Sequence, residues 1–538
     1  MPKALKLVRL DDFTGGLNLR ADPFQLARNE SPDLLNVDVD PRGGFSQRGA
    51  WRRLNTSAIG SIANGSFDPK AIFAWTAAAN QLLVAANSAV FYSADGITWG
   101  DAGISTQTSG ASFAPWSTSS TSVVYVARRT GTIACSKWDG TTATALSANG
   151  LSGWQDDYAS PTGTHMPRAD YVAAHNDRLW VASTFESGTP YPNRVRFSHP
   201  HQPESWRQDD YIDVPSGGSG ITALIPFGDA LLIFKRDSVH AIYGYDTDNF
   251  QLVTLTTQVG AYSDRCVAAT EGALYFLHWP RGVFAWDGNK FSEATVRLRA
   301  LFSDPKVNAA ALSRASLSWC KDHLWLSVPT GTSAIADQCY VFDPSIGAWT
   351  RYQGGDGLAV GTLSDFVVTS SGQRVYVGLH ASSAFALNID DRSQFDDNIS
   401  GAELPFPSYY TTGWIDDGVV SSKKMWRQPD FVVKQADVAV TLTVDVFRNW
   451  EEAAAARSYN LVVSTAGESL VYASEAIEPD STSGWGEAAF GLPAAGAQHE
   501  RGQRLGLARS VSLKISGPGS LGWGVNSITL KYNPRRIR

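Results

Sequence analysis

"NDRLWV", Asn176 to Val181, sets a polar turn against an unbroken apolar triplet, and the same arrangement returns along the chain. It recurs as "NQLLV" at Asn80–Val84, "GDALLI" at Gly228–Ile233 and "EGALYF" at Glu271–Phe276. "KDHLWL" at Lys321–Leu326 and "GQRVYV" at Gly372–Val377 follow, and "SVVYV" at Ser122–Val126 is a weaker copy. The triplets start at 82, 124, 179, 231, 274, 324 and 375, so successive starts lie 42, 55, 52, 43, 50 and 51 residues apart. Repeats of roughly 40–50 residues built from short strands are the spacing of propeller blades. A triplet apolar at every position suits a strand buried on both faces, as between two blades.

A second apolar strand follows most triplets, and often a turn and a closing aromatic: Asp95-Gly96 then Trp99, Asp139-Gly140 after Trp138, Asp287-Gly288 then Phe291, Asp343 then Trp349. Asp-Gly supplies the positive φ of a hairpin turn. The fold expected is therefore all-β: a seven-bladed β-propeller over residues 71–400, an extended N-terminal arm with a hairpin over 1–70, and a β-sandwich over 401–538. The last rests on alternating runs such as Val438–Val444, Val511–Ile515 and Ser527–Tyr532. Glu451–Arg457 has helix propensity and reads as a helical loop insertion.

Composition agrees with many strands and turns. Among 538 residues, 18% are charged, 11% are aromatic and 48 are Gly. No apolar run is long enough to span a membrane, and the start, MPKALKLVRLDDF, does not read as a secretory signal. Cys135, Cys266, Cys320 and Cys339 have no metal-ligand spacing and read as reduced, buried thiols. Net charge is −7, yet residues 501–538 hold eight Lys/Arg and no acid, which leaves −15 for residues 1–500. An acidic propeller repels phosphate; the terminal Arg535, Arg536 and Arg538 read as a solvated tail ahead of a contact with nucleic acid or an acidic neighbour.

"SADGITW", Ser93–Trp99, is similar to the Asp-box turn of sialidases, but it is one residue short and its serine is not repeated in the other turns. A sialidase needs convergent arginines, whereas Arg178, Arg196, Arg236, Arg265 and Arg281 have no common local motif. The His199/His201 pair is interrupted by prolines and lacks a third ligand nearby. "DRSQFDDN", Asp391–Asn398, lacks the Gly and Glu of a calcium loop and reads as a solvated connection. No catalytic residue, cofactor or metal site is expected.

The stretch before the repeats, "DDFTGGLNLRADPFQLARNESPDLLNVDVDPRGGFSQRGAWRRL", Asp11–Leu54, is broken by Pro23, Pro32 and Pro41 and punctuated by Gly15-Gly16. Leu34–Val39 alternates into a strand, Pro41–Gly44 turns it, and Phe45–Trp51 begins a return. One hairpin cannot bury its own core. Phe13, Leu17, Leu19, Phe24, Leu26, Leu34 and Leu35 must therefore pack on the propeller or on a neighbouring subunit, and part of the arm is expected to dock on a neighbouring subunit or tail component, with Gly15-Gly16 allowing close approach.

The order aromatic-x-Gly-Gly-Leu-Asn, then "NVDVD", a Gly-Gly turn and "SQRG", resembles the N-terminal signature of bacteriophage tail proteins built on propellers. The nearest functional type is the tail nozzle, or tail tubular protein B, of short-tailed phages; related arms open minor tail proteins of long-tailed phages. The likeness extends weakly to Tyr409–Val433. It implies a non-enzymatic virion protein made in the bacterial host: a homo-oligomer of six copies below an adaptor or gatekeeper ring, with fibres or tip proteins as further neighbours. Genomic DNA would pass through without specific binding. The assembly residues implied are Phe13, Gly15, Gly16, Leu17, Asn18, Asn36, Asp38, Gly43, Gly44 and Arg48. The competing reading is a propeller-based glycan-binding or glycan-cleaving tail component.

Overall fold

The computed structural model describes residues 5–60, 67–76, 80–106, 110–119, 121–129, 133–146, 165–215, 217–302, 306–368, 371–372, 374–399, 401–418, 420–434, 438–463, 470–472 and 504–534. The basic tail at 535–538 lies outside them. The architecture is all-β and propeller-like, with four-stranded antiparallel sheets following one another along the chain. Each expected triplet falls in the second strand of one such sheet: Gln81–Ala86, Ser122–Arg128, Arg178–Glu186, Ala230–Phe234, Leu274–His278, His323–Val328 and Arg374–His380.

Alternate side chains of these second strands enter different cores, which is why the triplets are unbroken. Leu83 and Ala85 share a core with Val124 and Val126 of the second sheet, while Val123 and Tyr125 pack with Leu179 and Val181 of the third. Trp180 meets Leu231 and Ile233, and Leu232 and Phe234 meet Leu274 and Phe276. Tyr275 and Leu277 join Leu324 and Leu326, and Trp325 joins Val360 and Leu363 of the seventh sheet. Val377 and Leu379 of that seventh sheet pack on Leu82 and Val84 of the first. Both faces of the first six strands are thus largely removed from water, at about 1.5–3 kcal/mol per large side chain; in the seventh, Arg374 is exposed and Val375 and Tyr376 are half-buried.

The seventh sheet takes only three strands from its own repeat, Val360–Val367, Arg374–His380 and Ala386–Asp391. Its fourth is Ala50–Arg53 from the arm, paired Leu387↔Arg53 and Asn388↔Arg52. The chain's two distant ends of this region are held together by one ladder.

Residues after 400 form two further sheets, each completed by the arm. One orders Arg457–Val463, Val440–Arg448, Val511–Gly517, Ser408–Thr411 and, from the arm, Asp33–Leu35. The other is built on Lys424–Val433 and Gly524–Pro534, to which the arm adds Lys6–Leu10, Phe45–Gln47 and Val37–Val39. Leu442, Val444, Leu513 and Ile515 share one core with Trp426, Phe431, Ile528 and Leu530.

Two expectations are corrected here. The arm's apolar groups need no second subunit: Phe13, Leu17, Leu34 and Leu35 are buried inside their own chain, because the C-terminal sheets lack edge strands that the arm supplies. Of those side chains Phe24 alone is largely exposed, at 54%. The helical insertion is absent as well. Glu451 to Ala456 turn between two paired strands, with the Ala456 amide donating to Val446 O at 2.8 Å, and so short a stretch cannot repay helix nucleation.

Candidate functional site

The residues of the N-terminal signature converge on a seam between the arm, the sixth sheet and the C-terminal sheets. Its centre is Arg48, 2% exposed, and Asp397, fully buried. The Arg48 guanidinium donates to Asp397 Oδ1 at 3.0 Å and Oδ2 at 2.7 Å, to Gly49 O at 2.8 Å, to Gln353 O at 2.9 Å and to Asn36 Oδ1 at 2.9 Å. Its plane lies between the rings of Trp51 and Phe406, 4.1 and 3.8 Å from their centroids. Asp397 also accepts the backbone amides of Trp51 (2.7 Å) and Gly355 (2.9 Å). A buried ion pair is tolerable only when its remaining donors and acceptors are satisfied, and here the surrounding backbone satisfies them.

Asn36 is the second member of the seam. It is buried with φ of 53°, a conformation Asn adopts more readily than most residues. Its side chain accepts the Gln353 amide at 2.8 Å and donates to Pro407 O at 2.8 Å. Asp38 accepts from the Tyr352 hydroxyl and from Arg392. Burial opposes the Asp38 charge, but Arg392 and Tyr352 outweigh it and hold its carboxyl below the ordinary value. Asn18 donates to Glu30 at 2.9 Å, and Glu30 pairs with Arg297 at 3.2 Å. Arg297 in turn donates to Gly15 O at 2.9 Å.

Two of the glycines are fixed by geometry. Gly16 has φ of 61°, and a Cβ there would lie 2.7 Å from Trp349 O in the sixth sheet. Gly43 has φ of 109°, and its Cβ would stand 2.4 Å from Asp11 O. Gly15 and Gly44 are similarly crowded, by Asn29 and by Val525–Asn526. The close approach expected of Gly15-Gly16 is therefore made to the chain's own sixth sheet and arm. All ten signature residues make contacts within the chain.

Beside the seam, a cleft of about 590 Å³ separates the arm hairpin from the sixth sheet. In its lining Lys434 pairs with Asp40 at 3.3 Å and Arg392 with Asp38, and His323 Nε2 stands 3.6 Å from Asp343.

The Asp-box-like turn has a structural explanation. Asp95 Oδ1 accepts the amides of Ile97 (2.8 Å) and Thr98 (2.7 Å) and the Ser93 hydroxyl (3.0 Å), and Ser93 Oγ accepts the Gly96 amide at 2.8 Å. Asp139 and Asp287 repeat the arrangement without the serine. The five arginines weighed for a carboxylate site have separate tasks. Arg178 stacks near Phe197 and Phe250, Arg196 pairs with Glu186 at 2.6 Å, and Arg236 lies over Tyr262. Arg265 donates to Ser313 O at 3.1 Å, and Arg281 lies over Phe284. His201 is 71% exposed at its side chain.

Sequence reasoning missed Asp397. "DRSQFDDN" reads as solvated because three of its residues are acidic, whereas Asp397 is the buried counter-ion of a residue 349 positions away. No local pattern announces such a partner.

No protein-family model matches this chain, and no curated protein matches it. Among solved structures it is similar, at 10% identity and a TM-score of 0.35, to the computationally designed Ika8 protein, covering 66% of this chain and 99% of that one. The extracellular domain of a one-component system from B. thetaiotaomicron gives 10% identity and a TM-score of 0.41 over 81% of this chain and 58% of that one. BBS1N, solved in complex with ARL6DN, gives 9% identity and a TM-score of 0.39 over 64% of this chain and 98% of that one. At these scores the architecture is read from strand pairing and not from superposition.

Proposed function

We propose that this chain is a structural virion protein of a phage tail: a seven-bladed propeller joined to a C-terminal β-sandwich, assembled as a ring of six copies around the DNA ejection channel. The observation that carries this reading is the N-terminal signature. Gly16, Asn36, Gly43 and Arg48 each occupy a position where backbone geometry or a buried ion pair restricts the residue type, so these letters of the signature are ones this fold requires. An arm that ties the propeller to the terminal sheets gives a stiff two-part body, suited to a ring that must withstand DNA passage. The aspartate-rich turns at one end of the sheets, Asp95, Asp139, Asp287 and Asp343, add to the acidic balance. Such a surface favours sliding of phosphate chains over sticking.

Native mass measurement and negative-stain imaging of the purified protein test the reading. A closed ring with a central opening is expected. A protein that stays monomeric at tens of micromolar and releases sugar from host-surface glycans, an activity lost in Asp95→Ala, would replace it with the glycan-cleaving reading.

A further inference from the structure

At one end of the ring of sheets, four cations from separate repeats crowd together. In each sheet the first strand begins where the second ends, as Ala111 pairs with Arg128 and Val267 with Phe276. Lys70 lies in the first strand of the first sheet, Pro69–Trp75, and Arg129 follows the second strand of the second. Arg265 and Arg314 immediately precede the first strands of the fifth and sixth sheets, Val267–Ala269 and Ser316–Cys320. Topology thus brings all four to the same end, opposite the aspartate turns.

Contacts confirm the meeting. Asp68 pairs with both Lys70 and Arg314, and Asp264 pairs with Arg129. A Cβ added at Gly110 would lie 2.9 Å from Lys70 Cβ and 3.8 Å from the Arg129 guanidinium carbon. Burial lowers the pKa of Lys70, Arg129 and Arg265, and repulsion among the cations adds to it. Asp68, Asp264 and Asp170 set three carboxylates against these four cations. Among the described residues the Arg129 and Arg265 Nε atoms are buried without a hydrogen-bond partner, and Arg265 is only 9% exposed. A buried charged donor left unpaired is costly. In a chain of net charge −7 the cluster runs against the average.

We propose that this end of the ring binds a tetrahedral oxyanion, a phosphate or sulfate group, held by Arg129, Arg265 and Lys70 with Arg314 at the outer edge. Guanidinium forks match the oxygens of such a group, and its charge offsets theirs. Arg314, 34% exposed at its side chain, marks the side open to solvent. The group is either a free ion or the terminal group of a larger molecule.

Titration calorimetry of inorganic phosphate and of glucose 6-phosphate into the full-length protein tests this, at constant ionic strength with sodium chloride as the matched control. Saturable binding is expected, with a rise in Tm of about 2 °C or more over the chloride control. Arg265→Met and Lys70→Met should each weaken binding by about tenfold or more. Arg299→Met, at an exposed arginine outside the cluster, should leave it unchanged. Tighter binding of glucose 6-phosphate supports a terminal group, and equal or weaker binding supports a free ion. If Arg265→Met fails to fold, Lys70→Met decides alone. No saturable binding by the wild type, or undiminished binding by Lys70→Met, overturns the proposal.

Discussion

Between residues 69 and 391 nearly every strand pairs with its neighbour in sequence; in the two C-terminal sheets, neighbours along the chain seldom pair. Gln81–Ala86 lies between the strands just before and just after it, whereas Gly524–Pro534 pairs with Lys6–Leu10, Phe45–Gln47 and Lys424–Val433. The first region is assembled from local hairpins, the second from contacts that close loops of hundreds of residues, which are entropically dearer and slower to form. The arm belongs to both. It supplies the closing strand of the seventh sheet and edge strands of both terminal sheets, so the locally built region also depends on a long-range ladder.

Deleting residues 1–53 should have the largest effect. It removes large buried side chains that include Phe13, Leu17, Leu34, Val37, Phe45 and Trp51. At about 1.5–3 kcal/mol each, their loss matches or exceeds a typical stability of about 5–15 kcal/mol. The truncated chain should show no cooperative melt; a soluble truncation with the wild-type melting transition would break the idea that the arm serves both regions.

Next comes Arg48→Met, expected to cost about 3–5 kcal/mol in denaturant melts because buried Asp397 is left without its ion partner. Adding Asp397→Leu should recover only part of this, since the amides of Trp51 and Gly355 then lose their acceptor. A single-variant cost below 1 kcal/mol would show that the seam is not held by this pair.

Within the locally built region, Leu324→Ala should cost about 2–5 kcal/mol, the usual loss for a buried leucine. A change below half a kcal/mol would contradict the burial of that strand on both faces.

The smallest effect lies in the turns. Asp95→Ala should lower stability by about 1 kcal/mol at neutral pH. Partial burial opposes the Asp95 charge, but the amides of Thr98 and Ile97 outweigh it and lower its pKa. The amides of Thr142 and Lys290 do the same for Asp139 and Asp287. A carboxyl whose folded pKa is depressed stabilises the fold above its unfolded value, near 4, and loses that contribution as pH falls through the folded value. Stability should therefore drop as pH falls below about 4, and less steeply in Asp95→Asn; identical acid profiles would remove the turn from the account.

What was legible in the sequence follows the same division. The triplets at 82, 179, 231, 274 and 324 mark buried strands because both faces of one strand meet apolar neighbours, a local signal. Asp-Gly marked the turns through the positive φ of Gly96, Gly140 and Gly288. The arm hairpin was legible too, as Val37–Val39 against Phe45–Gln47. Its partners were not, because alternation shows that a strand has a buried face without showing what covers it. Burial of Phe13 and Leu17 was foreseeable from their chemistry; burial within the chain rather than against another subunit was not. Asp397 and the cluster of Lys70, Arg129, Arg265 and Arg314 were illegible for the same reason, since each joins residues far apart in sequence.

The central structural claim, closure of the seventh sheet by the chain's own arm, is tested most directly by a disulfide across the ladder. Arg52 and Asn388 are register partners, and paired antiparallel positions bring Cα atoms within disulfide reach. The four native cysteines are buried and free, which limits competing pairs. Arg52→Cys/Asn388→Cys, oxidised and run on a denaturing non-reducing gel, should migrate as a cross-linked single chain. Covalent dimers or higher ladders in place of that band would show that the arm crosses to a neighbouring subunit, and would contradict closure within the chain.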